Sequence, residues 1–300
     1  MIHALRGPAA LLPVLVALLV PAGAPGAVRD YWVVAESVTW NAVPNGRDAI
    51  HGVSYDPSQT IFPAVVYRRY SPNWKRPIGR GRIGGPLLKA RVGDRLRVHF
   101  LNRDTVGNRR HSMHFHGVQY RPGSDGSYVP GFSRGGDDVR VGRSFTYRLR
   151  AGRATAGAWP FHDHSSTMEA SLASGLYGML SIAGRHERRA DREFVVAFST
   201  HAGFQTINGR AFVGNTPVYK ARVGETVQWN VFAMGDAHHT FHVHGHRWRE
   251  RGRPMDTKTL GPAESFRVRW REDAPGTWLY HCHVETHMAQ GMIGIYRVRR

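Results

Sequence analysis

Residues 281–283 read His-Cys-His, and Cys282 is the only cysteine in the chain of 300 residues. Thiolate and imidazole groups are protein donors that copper, zinc and iron bind readily. A cysteine with no disulfide partner and a histidine on each side is better explained as a metal ligand than as a buried bystander. This short segment therefore predicts a metal centre that uses the Cys282 thiolate.

Five His-X-His pairs occur among the 18 histidines, whereas random placement would give about one. The pairs lie at 114/116, 162/164, 242/244, 244/246 and 281/283. One such pair is usually a surface accident, but pairs that recur at matched positions of a repeated sequence are better explained by metal binding. We therefore expect clusters of imidazole ligands.

Strand geometry separates these ligands into two sites. On a strand, side chains two positions apart share a face, and adjacent side chains point to opposite faces. Cys282 and His239 should then share one face. The opposite face should carry the imidazoles of His242, His244, His281 and His283. The sequence predicts two metal sites that are joined through the backbone of residues 281–283.

The site that contains Cys282 can be completed by His287 and Met292, which follow the strand. Two histidines, one cysteine and a weak axial methionine are the donor set of blue-copper electron-transfer sites. Zinc accepts similar donors but passes no electrons to a linked site. The other site has eight candidate imidazoles, more than one ion can bind. Four are those of the shared face, and the N-terminal half adds His114, His116, His162 and His164.

Five segments of the chain occur twice in the same order. They are KARVGD and KARVGE (89–94 and 220–225), HSMHFHG and HTFHVHG (111–117 and 239–245), SFTYRLR and SFRVRWR (144–150 and 265–271), WPFHDH and WLYHCH (159–164 and 278–283), and GLYGMLSI and GMIGIYRV (175–182 and 291–298). This repeat predicts a duplicated domain. Short alternating strands with Gly and Pro at their ends favour an antiparallel β-sandwich in each copy over an α/β fold. The polar segment 184–192 then predicts domain 1 at 28–184 and domain 2 at 185–300.

Residues 1–27 have the pattern of a secretory signal peptide, since Arg6 precedes an apolar run that ends in the small-residue stretch AGAPGA. A membrane anchor fits less well, because the run contains Pro8 and Pro13 and is shorter than the ~20 residues of a spanning helix. No later segment is long and apolar enough to span a membrane. We expect a secreted or periplasmic protein without a membrane span.

The net charge of +19 would suit a protein that binds nucleic acid or another polyanion. Many arginines, however, alternate with apolar residues, as Arg95 and Arg97 do with Leu96 and Val98. Such alternation is typical of the solvated face of a strand. We therefore expect no nucleic-acid partner.

Four motifs of the chain together resemble the copper motifs of the multicopper oxidases. They are HFHG (114–117), HDH (162–164), HTFHVH (239–244) and HCHVETHMAQGM (281–292). Within that family the chain resembles the two-domain small laccases of bacteria. The resemblance implies an all-β fold of two tandem cupredoxin-like domains, each a Greek-key β-sandwich, and four coppers per subunit.

Positions that match the family motifs imply a role for each ligand. The type 1 copper would be held by His239, Cys282, His287 and Met292. The type 2 copper would be held by His114 and His242. The type 3 pair would be held by His116, His162, His164, His244, His281 and His283.

The resemblance also implies a reaction and an assembly. Phenols or similar aromatic reductants would give up single electrons at the type 1 copper, and four electrons would reduce O2 to two waters at a trinuclear cluster. Asp125 and Asp256 occupy positions that the family uses for acids near the cluster, which implies a proton relay, although turn aspartates most often just bond the backbone. The family builds the cluster between domain 1 of one subunit and domain 2 of the next, which implies a homotrimer.

Two other functions fit these motifs less well. A copper nitrite reductase also has two cupredoxin domains but lacks the cluster of eight histidines, so the HDH and HCH motifs disfavour it. A non-catalytic periplasmic copper carrier or electron-transfer protein needs one blue-copper site and leaves the other eight imidazoles unexplained.

Domain 1 is predicted to lack a type 1 copper. Alignment of the repeats pairs Asp163 with Cys282, Met168 with His287, and Leu176 with Met292. His111 is the one retained counterpart, aligned with His239. We expect His111, His238 and His246, which adjoin the motifs, to support the ligands or to lie at the surface.

Overall fold

The computed structural model describes residues 26–300. Nearly all of the predicted signal peptide, residues 1–27, lies outside this range. Within the range, no helix combines the length and the apolar character that crossing a membrane requires. Strands make up 48% of the structure and helices 8%, which confirms the all-β prediction.

The N-terminal half of the described chain is a sandwich of two sheets. Its strands are β1 (Val28–Asn41), β2 (Ile61–Tyr70), β3 (Leu87–Arg91), β4 (Arg95–Arg103), β5 (His114–Phe115), β6 (Gln119–Tyr120), β7 (Ser144–Arg150), β8 (Gly157–His162) and β9 (Tyr177–Ala183). One sheet has the order β2-β1-β4-β7-β6, and the other has the order β3-β9-β8-β5. The connections contain α1 (Pro57–Thr60), α2 (Met168–Ala173) and short 3₁₀ turns at Pro72–Trp74 and Pro122–Ser124.

The C-terminal half repeats this architecture. Its strands are β10 (Arg192–His201), β11 (Phe204–Ile207), β12 (Val218–Arg222), β13 (Thr226–Ala233), β14 (His239–Val243), β15 (Trp248–Glu250), β16 (Arg253–Met255), β17 (Thr257–Leu260), β18 (Ser265–Arg271), β19 (Gly276–Cys282) and β20 (Ile293–Arg299). The two sheets have the orders β11-β10-β13-β18 and β12-β20-β19-β14-β17, and β15 pairs with β16. Helix α3 (Glu285–Ala289) follows β19.

The matched sequence segments fall on equivalent strands of the two halves, which confirms the cupredoxin-like Greek-key prediction. The expected antiparallel sandwiches also contain parallel neighbours, since β1 runs parallel to β4, β3 to β9, β10 to β13 and β12 to β20. In each case the chain passes to the other sheet before it returns, and such a crossover is what parallel neighbours require.

Alternation along β4 illustrates how the sequence forms this sandwich. Leu96, Val98 and Phe100 are buried in the core of domain 1, whereas Arg95 and Arg97 point to solvent. A strand with one face on a core and one face in water shows this pattern. The arginines of this strand therefore lie on a solvated face, as their spacing predicts.

The two halves are in direct contact. Ser265 Oγ donates to the carbonyl of Ala158 at 2.7 Å, and the buried ring of Tyr177 packs edge-on against Phe232. Strand β9 ends at Ala183 and β10 begins at Arg192, so the predicted boundary at 184/185 falls in the connecting segment. The exact domain limits stay a prediction.

Candidate metal centres

Strands β14 and β19 position the site around Cys282. Phe241 of β14 pairs directly with Cys282 of β19, so His239, two residues before Phe241, lies on the same face as the thiol. Helix α3 then brings His287 to the same point. His239, Cys282 and His287 form one group of potential metal ligands, as the sequence predicts.

The three donor atoms have the spacing that one metal ion requires. Cys282 Sγ lies 3.8 Å from His239 Nδ1 and 3.7 Å from His287 Nδ1, and the two nitrogens are 3.2 Å apart. Three ligands around an ion with bonds of about 2.1 Å would be roughly 3.6 Å apart. Met292 is fully buried, and its carbonyl accepts the Cys282 N–H at 3.0 Å, which holds it beside the group.

Burial sets the protonation of this group. It lowers the pKa of His239 to about 4, with help from nearby His287, so this imidazole is a neutral donor at pH 7. Burial also raises the pKa of the Cys282 thiol. A thiolate at a buried position therefore needs a bound cation, which is the role of a metal. The N–H of Thr240 points at Sγ from 3.3 Å and supports a negative charge there.

The opposite face of the same strands carries the second group in domain 2. His244 Nε2 and His281 Nε2 are 3.0 Å apart, and the ring of His242 packs edge-on against His281. The ring of His283 lies 5.4 Å from that of His242 and 5.3 Å from that of His281. The strand parity predicted from sequence is therefore correct for all four histidines.

Domain 1 has the equivalent group. His116 Nε2 and His162 Nε2 are 3.1 Å apart, and the ring of His114 packs against both. The ring of His164 lies 5.3 Å from that of His114. The structure thus brings together the four histidines that the sequence predicts in this half.

Backbone carbonyls fix which ring nitrogens are free for metal. The Nδ1 atoms of His114 and His242 donate to the carbonyls of Asp125 and Asp256, both at 2.8 Å.

His162 and His281 donate from Nδ1 to the carbonyls of Asp163 and Cys282, at 2.8 and 2.9 Å. The Nε2 atoms of these rings then carry lone pairs, and a hydrogen bond from a protein group fixes a metal-binding imidazole in this way. Burial lowers the pKa values of His162 and His281 to about 4, so both rings stay neutral. The donor set fits copper ions.

Each three-ligand group found among residues 26–300 comes from a single domain. The groups are His114, His116 and His162 in domain 1, and His242, His244 and His281 in domain 2, beside the group at Cys282. With His164 beside the first and His283 beside the second, each His group supplies half of the predicted eight ligands.

Two family models with the description Multicopper oxidase match the chain, one over residues 78–187 and one over residues 187–300. Together they span both half-sites and the Cys282 group. The chain belongs to the multicopper oxidase family.

The names of proteins similar to this multicopper oxidase include several activities. Ferroxidase HEPHL1 from Mus musculus is 29% identical over 92% of this chain and 30% of its own length. A probable nitrite reductase-hydroxylamine oxidoreductase fusion protein from Kuenenia stuttgartiensis is 31% identical over 72% of this chain and 27% of its own length. The chain therefore spans less than a third of these two curated relatives.

A solved structure has a closer size. The crystal structure of a multicopper oxidase matches with a TM-score of 0.68 and 26% identity, and the match covers 90% of this chain and 89% of that chain. The two-domain architecture of this multicopper oxidase is thus similar to that of most of the solved chain.

The two predicted acids lie beside the first histidine of each half-site. It is the backbone carbonyl of Asp125 and of Asp256 that contacts His114 and His242. The Asp125 carboxylate lies 3.5 Å from His114 Nδ1 and is 35% exposed. Each acid therefore has an observed backbone role next to the site.

In domain 1 of the multicopper oxidase, the counterpart of the Cys282 group is a buried polar cluster. The Asp163 carboxylate accepts from Ser112 N at 2.5 Å, as Cys282 Sγ accepts from Thr240 N. His111 lies between two carboxylates, with Nε2 3.0 Å from Asp104 Oδ2 and Nδ1 3.4 Å from Asp163 Oδ2. The expected loss of the type 1 ligands is thus accompanied by a set of hydrogen bonds in their place.

The sequence alignment of Met168 with His287 is wrong. Leu176 N donates to the carbonyl of Ser171 at 3.0 Å, just as Met292 N donates to the carbonyl of His287 at 3.0 Å. Ser171 Oγ also lies 3.3 Å from His111 Nδ1. Three extra residues precede Ser171, so counting forward from Asp163 stops too early.

The sequence predicts that His246 supports the ligands or lies at the surface, and it gives no signal for Glu272. The structure joins them, because His246 Nε2 lies 2.9 Å from Glu272 Oε1 and both side chains are almost fully buried. Burial opposes the charge of Glu272, but hydrogen bonds from His246, Tyr296 and Trp270 lower its pKa to about 2. The sequence does contain one signal for a special role of His246, because the repeat aligns it with the apolar Val118.

Proposed function

We propose that this multicopper oxidase is a laccase-type enzyme. It oxidises phenolic or similar aromatic molecules by one electron at a time and uses four electrons and four protons to reduce O2 to two waters. Copper, when bound, supplies the one-electron redox chemistry at both kinds of site. The observation that carries the proposal is the Cys282 group, which lies back to back with four histidines on one pair of strands.

Residues at the Cys282 group give the reductant access to one site and connect it to the other. His287 is partly exposed at the edge of the Cys282 group, so a reductant can approach this ring while Cys282 and His239 stay buried. His281 and Cys282 are adjacent, and His281 Nδ1 donates to the Cys282 carbonyl at 2.9 Å. In the proposal these neighbours link the type 1 site to the oxygen site.

We assign the ligands as the family motifs imply. Met292 would be the fourth protein ligand of the type 1 copper, beside His239, Cys282 and His287. The first histidine of each half-site, His114 and His242, belongs to the type 2 copper. The remaining six belong to the type 3 pair: His116, His162, His164, His244, His281 and His283.

The proposal includes a homotrimer in which domain 1 of one subunit meets domain 2 of the next. It is supported by the two half-sites, each of which lies within a single domain. Equilibrium sedimentation of the copper-loaded protein should give three chains. An active monomer with four coppers would overturn this assembly.

Asp125 and Asp256 are proposed to supply protons to the oxygen site. Asp125→Ala and Asp256→Ala should each lower the turnover with O2 and shift its pH profile. Asp125→Asn and Asp256→Asn keep the backbone contacts and serve as matched variants that remove only the charge. An unchanged pH profile in all four would leave the two residues with their backbone contacts alone.

We further propose that the chain is exported, since residues 1–27 have the pattern of a signal peptide. Expression with and without this segment, followed by fractionation and N-terminal sequencing, tests the proposal. Export with cleavage near Ala24 or Ala27 is the expected result.

A second candidate reaction is the oxidation of ferrous ion, which the 29% identity to a ferroxidase favours. Steady-state rates with a methoxyphenol and with ferrous ion, at equal enzyme and O2 concentrations, separate the two. The laccase-type proposal requires the larger kcat/KM for the phenol.

Copper content and O2 uptake together test the broader proposal. The expected result is four coppers per chain and one O2 consumed for every four phenol molecules oxidised. One or two coppers without O2 uptake would instead fit an electron-transfer protein. Reduction of nitrite without O2 uptake on phenols would fit a nitrite reductase, an activity in the name of one relative.

A further inference from the structure

A buried polar network lies behind the half-site of domain 2. The Glu272 carboxylate, 1% exposed, accepts from Trp270 Nε1 at 3.0 Å and from the Tyr296 hydroxyl, and its other oxygen lies 2.9 Å from His246 Nε2. Every oxygen of this carboxylate therefore has a partner inside the protein. His246 connects this carboxylate to the backbone of His244.

His246 contacts the backbone of the neighbouring ligand. Its Nδ1 lies 2.7 Å from the carbonyl oxygen of His244 and donates to it, while its Nε2 faces Glu272. A ring with an acceptor at each nitrogen carries a hydrogen on both. The His244 carbonyl is thereby fixed on one side, and the His244 N–H is fixed on the other by the carbonyl of Leu279 at 2.9 Å.

Domain 1 provides the same backbone without this network. Ala151 occupies the position of Glu272, since it makes the same two backbone hydrogen bonds, with Gly93 and Asp94 in place of Gly224 and Glu225. The repeat also places apolar residues opposite the other three members. Val118 is aligned with His246, Leu149 with Trp270, and Leu180 with Tyr296.

The comparison shows that the fold does not need the network. Ala151, Leu149 and Leu180 are buried in the core of domain 1, and Val118 packs against it. An apolar set of this kind is often as stable as a buried ion pair or more so, because a buried pair must offset its loss of hydration. The pair in domain 2 therefore calls for a role other than folding.

The surroundings of His244 point to such a role. The His-X-His strand of domain 2 borders an open cavity of about 500 Å³, lined by His242, Gly245 and His246 among others. A hydrogen bond to the His244 carbonyl can hold this residue beside the cavity.

We propose that His246, held in place by Glu272, is a positioning residue that fixes His244 for metal binding at the oxygen site. The inference rests on the proposed function, in which His244 is a type 3 ligand. Groups that orient a ligand without touching the metal typically change metal affinity by about 10- to 100-fold.

Two substitutions at one position separate positioning from folding. In His246→Asn the amide nitrogen replaces Nδ1 and keeps the bond to the His244 carbonyl. In His246→Gln the amide nitrogen replaces Nε2 and keeps the bond to Glu272 only. The two variants are alike in size and polarity, and each is the control for the other.

Copper titration of the purified protein, followed by electron paramagnetic resonance and near-ultraviolet absorption, gives the readout. We expect His246→Gln to lose about 10-fold or more in affinity for the coppers of the oxygen site, and His246→Asn to stay within about threefold of the parent. The blue absorption of the type 1 site should be unchanged in both. Equal affinities in both variants and the parent would overturn the inference, as would an equal loss in both.

A third variant covers the case in which the single substitutions fail to fold. It combines three substitutions that copy the domain 1 residues at three of the four network positions: His246→Val, Glu272→Ala and Tyr296→Leu. We expect a folded protein with a normal type 1 site and weakened binding of the other coppers. Full binding of four coppers would show that the network does not position His244.

Failure of the inference can be told from failure of the proposed function. A parent protein that binds a single copper and consumes no O2 contradicts the proposed function, and the inference fails with it. A parent with four coppers and O2 uptake, beside an unaffected His246→Gln, contradicts the inference alone.

Discussion

Around Cys282 in domain 2, a sulfur and two imidazole nitrogens line a space that suits one metal ion, whereas the same space in domain 1 is closed by hydrogen bonds to Asp163. One backbone hydrogen bond is the same in both, since Asp163 N donates to the Leu176 carbonyl and Cys282 N donates to the Met292 carbonyl. The side chains differ, and the loop that follows is three residues longer in domain 1. Asp163 therefore satisfies in domain 1 a buried polar cluster whose counterpart in domain 2 has the donor atoms to bind a metal ion.

The histidine that both domains retain, His239 in domain 2 and His111 in domain 1, shows how carboxylates replace metal ligands in domain 1. His239 Nδ1 faces a thiol sulfur at 3.8 Å, and His111 Nδ1 faces the Asp163 carboxylate at 3.4 Å. Asp104 then bonds the other nitrogen of His111, and at the aligned position domain 2 has Gly235. Domain 1 thus has two carboxylates that domain 2 lacks, and each occupies a nitrogen of the same ring.

Removal of the thiol should give the largest effect. Cys282→Ser replaces a soft ligand by a poor one, so we expect loss of the blue absorption and a fall in turnover with phenols of roughly 10³-fold or more. Copper at the oxygen site should remain. Asp163→Asn, at the equivalent position of domain 1, is the control and should keep the blue absorption. A blue Cys282→Ser protein would contradict the assignment of the type 1 site.

Replacement of Asp163, the acid that occupies the position of Cys282, should lower the stability of the protein and not its blue absorption. Asp163→Leu leaves the N–H of Ser112, the hydroxyl of Ser165 and the ring of His111 without their buried partner. Such a loss typically lowers the free energy of unfolding by about 3–5 kcal/mol. Urea denaturation of the copper-free protein measures it. A loss below about 1 kcal/mol would mean that the cluster in domain 1 does not stabilise the fold.

The pH dependence of the free energy of unfolding should reveal the contribution of Asp104, the second carboxylate beside His111. Although burial opposes it, hydrogen bonds from Ser37 and His111 lower the pKa of Asp104 from 3.8 to about 2. A group whose pKa is lower in the folded state stabilises the fold above its unfolded pKa, and the contribution is lost as the pH falls towards the folded pKa. We expect the advantage of the parent over Asp104→Asn to be about 2 kcal/mol above pH 5 and to shrink between about pH 4 and pH 2.

Urea denaturation at a series of pH values measures this difference, with the exposed Glu169→Gln as a control for general effects of charge. A difference between the parent and Asp104→Asn that stays constant down to pH 3 would contradict the assignment.

The smallest expected effect is the return of a metal site to domain 1. Asp163→Cys with Ser171→His restores the thiol and the second imidazole at positions that match Cys282 and His287 in their backbone contacts. At most this doubles the blue absorption per chain. Asp163→Cys with Met168→His is the matched control and should add none. Equal absorption in the two variants would contradict the structural alignment at Ser171.

The repeat, the strand parity and the copper motifs made much of this molecule predictable from sequence. The opposed faces of His242 and Cys282 follow from the alternation of a strand, which needs no tertiary information. Ser171 could not be identified, because an insertion in the loop hides the register until backbone hydrogen bonds define it. Glu272 could not be identified either, since it lies 26 residues from His246 and meets it only when β18 packs beside the other sheet.

The back-to-back arrangement of ligands on β19 has a consequence for how such a protein can change. Adjacent residues of a strand lie only about 3.3 Å apart along the chain but contact different surroundings. A substitution at position 163 therefore left the environment of His162 and His164 intact. Under the proposed function, the short backbone segment around Cys282 would carry electrons between two sites whose surroundings stay separate. A copy of the domain could then lose one site and keep the other.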